Sequence, residues 1–159
     1  MRDQVRQILN KLNIQAPPVP IEKVAELFSL KVVPYSKFPN SISGTIIQQS
    51  DLNVIGVNSN HVLVRQRFSI AHELGHFLLG HDSTKIVDDT FDVPTDKEQQ
   101  ANKFAAELLM PFDFLKNDIE SHSHEYDIPA LAKRYEVSEQ AMSIRLLETG
   151  FIKKLWHSK

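Results

Sequence analysis

The sequence predicts an α+β fold: a small antiparallel sheet, a long helix carrying His72-Glu73-Leu74-Gly75-His76, and a C-terminal helical subdomain at about 128–159, all within one domain spanning residues 1–159. Three observations predict it. A chain of 159 residues, 42% hydrophobic and 24% charged, suits one soluble globular domain with its own core. Two β-branched runs flank Ser50-Asp51, the pattern of a hairpin. Elsewhere apolar residues recur at helical spacing.

Each element has its local reason. Val5, Ile8, Leu9 and Leu12 share one helical face, so residues 2–12 read as a short amphipathic helix. Ala16-Pro17-Pro18-Val19-Pro20 is a stiff connector, and Ile21 to Phe28 a second helix with Val24, Leu27 and Phe28 on one side. Lys31-Val32-Val33 reads as a strand ended by Pro34. Ile42–Gln49 and Asn53–Val57 form the hairpin. Asn58-Ser59-Asn60 offers caps for a helix from about Val62 to Leu79. An Asp-rich loop (81–94) follows, then a helix from Thr95 to Met110, and Pro111 can open the next, through Ile119. Beyond a His-rich stretch (121–127), Pro129–Tyr135 and Ser138–Glu148 are helical.

Composition removes several classes of function. Cysteine is absent, which excludes disulfides, thiolate zinc fingers and a cysteine nucleophile. No signal-peptide pattern or 18-residue apolar run is present, so a cytoplasmic protein with no membrane partner is expected. The net charge of −2 argues against a general nucleic-acid binder. That charge is segregated. Residues 81–127 carry four Lys/Arg against twelve Asp/Glu, whereas 1–80 carry eight against five and 128–159 six against three. The acidic block is a solvated surface, or a region that draws a cation or a basic partner.

His72 and His76 carry the chemistry. Four helical residues turn the chain by about 400°, so both imidazoles stand on one face and reach one ion. Glu73 stands beside that face, where a general base belongs. A catalytic metal commonly takes a third protein ligand and keeps one position open. His81, Asp92, Asp96, Glu98 and Glu107 are the candidates downstream. Glu98 and Glu107 lie nine residues apart, about 180° around a helix, so at most one faces the metal. Glu98 shares its face with Ala101 and Ala105, small enough for close approach of two helices, and with Asn102, placed to hydrogen-bond a ligand histidine. We select Glu98, although Thr95-Asp96-Lys97-Glu98 also spells a capping box.

Three blocks then carry a resemblance. They are Arg65-Gln66-Arg67-Phe68-Ser69-Ile70-Ala71-His72-Glu73-Leu74-Gly75-His76-Phe77-Leu78-Leu79, the run Glu98 to Pro111, and Leu131-Ala132-Lys133-Arg134-Tyr135-Glu136-Val137-Ser138 with Ala141 and Arg145-Leu146. In this order they resemble the ImmA/IrrE family of metallopeptidases. The resemblance implies a zincin-like fold, one zinc per chain on His72, His76 and Glu98, and Glu73 as base. It also implies an endopeptidase whose protein substrate is a helix-turn-helix repressor. Two imidazoles and a carboxylate equally suit manganese or another divalent ion. Gly80-His81 departs from the family pattern, in which a histidine directly follows the leucines.

A second electrophile should hold the developing oxyanion. His81, His122, His124, Tyr126 and Arg145 are the candidates, with His81 and Arg145 foremost. Arg65, seven residues before His72, reads as a salt-bridge former. The hairpin offers an edge strand to an extended substrate. Two other classes stay open. One is a metal-binding regulator or toxin component that binds a partner without cutting it. The other is a helix-turn-helix DNA-binding module at Leu131–Leu146, weakened because its second helix presents only Arg145 as a cation.

Overall fold

The computed structural model describes residues 1–49, 52–81, 95–121 and 127–152. Among them are seven helices and three strands, an α+β architecture. The chain divides into two compact units, one of Pro20–Ala105 and one of Met1–Val19 with Ala106–Lys159.

The first unit holds the sheet. Strands β1 (Lys31–Tyr35), β2 (Gly44–Gln49) and β3 (Leu52–Asn58) lie in the order β1-β3-β2. The β2–β3 hairpin is antiparallel, with Ile46 opposite Ile55 and Gln49 opposite Leu52. β1 joins β3 in parallel, so the sheet is mixed, a pairing absent from the sequence reading. The strand also runs through Pro34 instead of ending there, because an edge strand tolerates a residue without N–H.

Two helices of this unit flank the sheet in sequence, α2 (Ile21–Leu27) and α3 (Leu63–Leu78). Ile46, Ile55 and Val57 are buried, as are Ile70, Ala71 and Leu74 of α3. Phe77 and Leu78 of the same helix are only partly covered. The expected asparagine cap is also replaced. Val62 is the N-cap of α3 without a side-chain bond. Asn58 instead ties down the preceding loop, donating from Nδ2 to the carbonyls of Pro39 (3.2 Å) and Ile42 (2.8 Å). Helix α4 (Asp96–Leu109) brings Ala101, Phe104 and Ala105 into this core, all fully buried.

The second unit is helical: α1 (Arg2–Lys11), α5 (Phe112–Ser121), α6 (Ile128–Tyr135) and α7 (Glu139–Thr149), with the last turn of α4. It is larger than the 128–159 segment read from sequence, because α1 buries Val5, Ile8 and Leu9. Ser138 caps α7, its Oγ accepting the Ala141 N–H at 3.1 Å. The Asp118 carboxylate accepts from Arg134 Nε and from the Tyr135 hydroxyl, both at 2.9 Å. Among the described residues, no helix is long and apolar enough to cross a membrane.

Candidate metal centre

All the residues of the centre belong to the sheet-containing unit. His72 and His76 sit one turn apart on α3, with their Nε2 atoms 3.0 Å from each other. Glu98 Oε2 lies 3.1 Å from His72 Nε2, and Oε1 lies 3.1 Å from His76 Nε2. The three side chains are partly buried and can hold a metal ion.

The donor set fits such an ion. Bonds of about 2.0–2.1 Å in a tetrahedron place ligand atoms about 3.3 Å apart, and the observed separations fall just inside that figure. The outer nitrogens support the same conclusion. His72 Nδ1 lies 2.9 Å from Asn102 Oδ1, an acceptor, so the His72 proton belongs on Nδ1 and the Nε2 lone pair faces the centre. Burial, then the neighbouring His72, hold the His76 pKa below the ordinary histidine value, favouring the neutral ring that a metal requires.

Local sequence explains how Glu98 reaches this point. Thr95 Oγ1 accepts the Glu98 N–H at 3.3 Å, which is one arm of the capping box. The Glu98 carboxylate faces the two imidazoles. Close helix approach is set by Gly75. A Cβ placed there would meet the Ala101 Cα and carbonyl oxygen at 3.1 Å.

Glu73 adjoins the centre without belonging to the trio. Burial, and then the charge of Glu98, push its carboxyl up to about 7. A Cβ built on Gly44, the first residue of β2, would lie 3.6 Å from Glu73 Cγ and 3.4 Å from Ser69 Cβ. The edge strand therefore begins beside the Glu73 side chain. The parity of β2 follows from the Asn58 N–H donating to the Ser43 carbonyl at 2.9 Å. Gly44, Ile46 and Gln48 consequently turn their backbone N–H and C=O groups away from β3.

The other candidates are placed differently. Arg145 is buried in the helical unit. Its guanidinium pairs with Glu107 and donates from Nε to the Met110 carbonyl at 3.1 Å. That role is structural, and it withdraws Arg145 from the oxyanion. It also removes the one cation that the helix-turn-helix reading needed on α7. Glu107 is likewise buried in this pair. His81 turns Nδ1 toward His76 Nδ1, at 3.0 Å. Asp96 is exposed at the start of α4. Asp92, His122, His124, Tyr126 and most of the Asp-rich loop lie outside the described residues. Arg65 forms no salt bridge among the described residues. It donates from Nε (3.2 Å) and Nη2 (3.0 Å) to Ser43 Oγ. The contact of Gly44 with Glu73 had no sequence signal, since it joins residues from separate elements.

Comparison with known proteins follows the same lines. The model of peptidase family M78, the IrrE N-terminal-like domain, matches residues 25–147. A solved structure of a Mycobacterium tuberculosis transcriptional regulator is similar, with a TM-score of 0.69 at 19% identity. The match covers 92% of this chain and 46% of that one, so this chain spans a little under half the length of that regulator. At such identity the likeness is one of fold. No curated protein matches the chain.

Proposed function

The chain belongs to the IrrE N-terminal-like family of peptidase domains, and from that premise we propose that it is a zinc-dependent endopeptidase acting on a helix-turn-helix repressor. The observation that carries the metal-dependent reading is the convergence of two imidazole Nε2 atoms and a carboxylate beside Glu73. The repressor rests on the family resemblance.

His72, His76 and Glu98 would hold the ion, and when bound it supplies Lewis acidity that polarises the scissile carbonyl and acidifies water. Asn102 keeps the His72 proton on Nδ1, away from the ion. Glu73 takes the proton of the attacking water and delivers it to the departing amine. A carboxyl held near neutrality suits both transfers. The outward groups of Gly44, Ile46 and Gln48 would pair with an extended segment of substrate, giving main-chain hydrogen bonds with little sequence demand. The start of that strand lies against Glu73, which brings a paired peptide to the reacting groups.

Metal content and hydrolysis test the reading together. Purified wild type is expected to hold about one zinc per chain, and Glu98→Ala to lose it. Glu73→Gln is expected to keep zinc and lose repressor cleavage. Zinc retained by Glu98→Ala would move the third ligand elsewhere. Full biological function in Glu73→Gln would establish the non-catalytic regulator instead.

A further inference from the structure

The end of α3 is built around the ligand His76. Leu79 is its C-cap, and Gly80 follows with φ +68°, the left-handed region that favours glycine. The Gly80 N–H donates to the Phe77 carbonyl at 3.3 Å and the His81 N–H to the His76 carbonyl at 2.9 Å. These two bonds form a Schellman cap. In such a cap the residue after the glycine frequently packs back over the residue three places before the C-cap. Here those two residues are His81 and His76. The usual apolar contact is replaced by two imidazoles, 5.1 Å apart between centroids and inclined by 65°, with Nδ1 atoms 3.0 Å from each other.

We propose that His81 is a positioning residue, the acceptor that keeps the His76 proton on Nδ1 so that Nε2 stays bare for the metal. The proposal rests on the metal site put forward above. Both ligand rings must present Nε2 lone pairs to one ion, so both must carry their proton on Nδ1. Each Nδ1–H then needs an acceptor. Asn102 serves His72, and His81 serves His76. Gly80 is the backbone device that delivers His81 to this position. This role also accounts for the spacing Leu78-Leu79-Gly80-His81: a left-handed residue must separate the helix from the histidine that folds back on it.

Competition titration of zinc against a fluorescent chelator tests the idea on wild type, His81→Phe and His81→Asn. The phenylalanine keeps the ring and removes the acceptor. The asparagine oxygen falls near the position of Nδ1 and restores one. His81→Phe is expected to weaken zinc binding about 10- to 100-fold, and His81→Asn to stay within a few-fold of wild type. In the zinc-loaded proteins, a His76 ring N–H resonance protected from exchange is expected in wild type and His81→Asn, and lost in His81→Phe. Equal thermal unfolding of the three metal-free proteins controls for folding. Wild-type affinity and a protected ring proton in His81→Phe would overturn the assignment while leaving the metal site standing. So would a His81→Asn variant as weak as His81→Phe, which would point to ring packing. Failure of wild type itself to bind zinc would overturn both.

Discussion

Replacing Gly75 with alanine sets two opposing effects against each other. Alanine in a helix interior gains roughly 0.8–1 kcal/mol over glycine. Against that, the new Cβ would stand 3.1 Å from both the Cα and the carbonyl oxygen of Ala101, and 3.3 Å from Phe104 Cβ. Ordinary carbon contacts begin near 3.5 Å, and two of the three neighbours are backbone atoms that no rotamer change can move. Helix α4 must therefore retreat by roughly 0.3–0.5 Å, and overpacking of this kind costs about 1–3 kcal/mol. The net expectation for Gly75→Ala is a loss of about 1 kcal/mol. The retreat also reaches the metal centre, because Glu98 lies one turn before Ala101, and Asn102 directly after it, on the same helix. Urea unfolding of the metal-free protein measures the stability change. Zinc competition measures the second effect, expected as a fall in affinity of tenfold or more, since loosened outer-shell support has that magnitude. A Gly75→Ala protein that is more stable than wild type and binds zinc equally well would refute the argument that this helix contact sets the ligand spacing.

Two further expectations concern buried charge. Glu73 titrates near 7 in the folded protein, above its ordinary value of 4.5. Folding therefore takes up a proton at Glu73 between those values, and the Glu73 contribution to the stability of the metal-free protein should fall as pH rises from 4.5 to 7, by up to about 3 kcal/mol, against the opposite contribution of His76, whose pKa is lowered. Glu73→Gln should remove that contribution, leaving stability to rise more with pH than in wild type in urea titrations run across the range; an unchanged pH dependence would place the carboxyl in a more solvated setting. In the helical unit, Arg145→Ala leaves the Glu107 carboxylate buried without its partner, an expected loss of about 3–5 kcal/mol by chemical unfolding. The double variant Glu107→Gln with Arg145→Met should recover much of it.

Local pattern made much of this molecule legible in the sequence. The hairpin, the α3 helix and the Thr95 cap each depend on a few adjacent residues, and the observed elements fall within a residue or two of those read from spacing. The parallel pairing of β1 was not legible, because nothing in Lys31–Tyr35 states its partner. Nor was the fate of Arg145. A single arginine among apolar residues reads as available for function, and only the opposite face of α4, with Glu107, reveals that it is spent. His81 shows a third case. The return of that histidine onto His76 follows from the cap geometry at Gly80 rather than from spacing along the helix.

Two of the three candidate ligands sit at helix ends, and each end suits what it carries. His76 lies in the last turn of α3, where the carbonyl end of the helix favours a cation. Glu98 lies in the first turn of α4, where free N–H groups favour a carboxylate. For the Glu98 carboxylate such a placement contributes about 0.3–1 kcal/mol. The capping residues add direction to that electrostatic preference. Thr95 satisfies the Glu98 N–H, and Gly80 bends the chain so that His81 meets His76. In the proposed site, residues that would otherwise only end helices thus orient the candidate ligands. Changes at Thr95 or Gly80 should therefore alter zinc affinity more than their distance from the ion suggests.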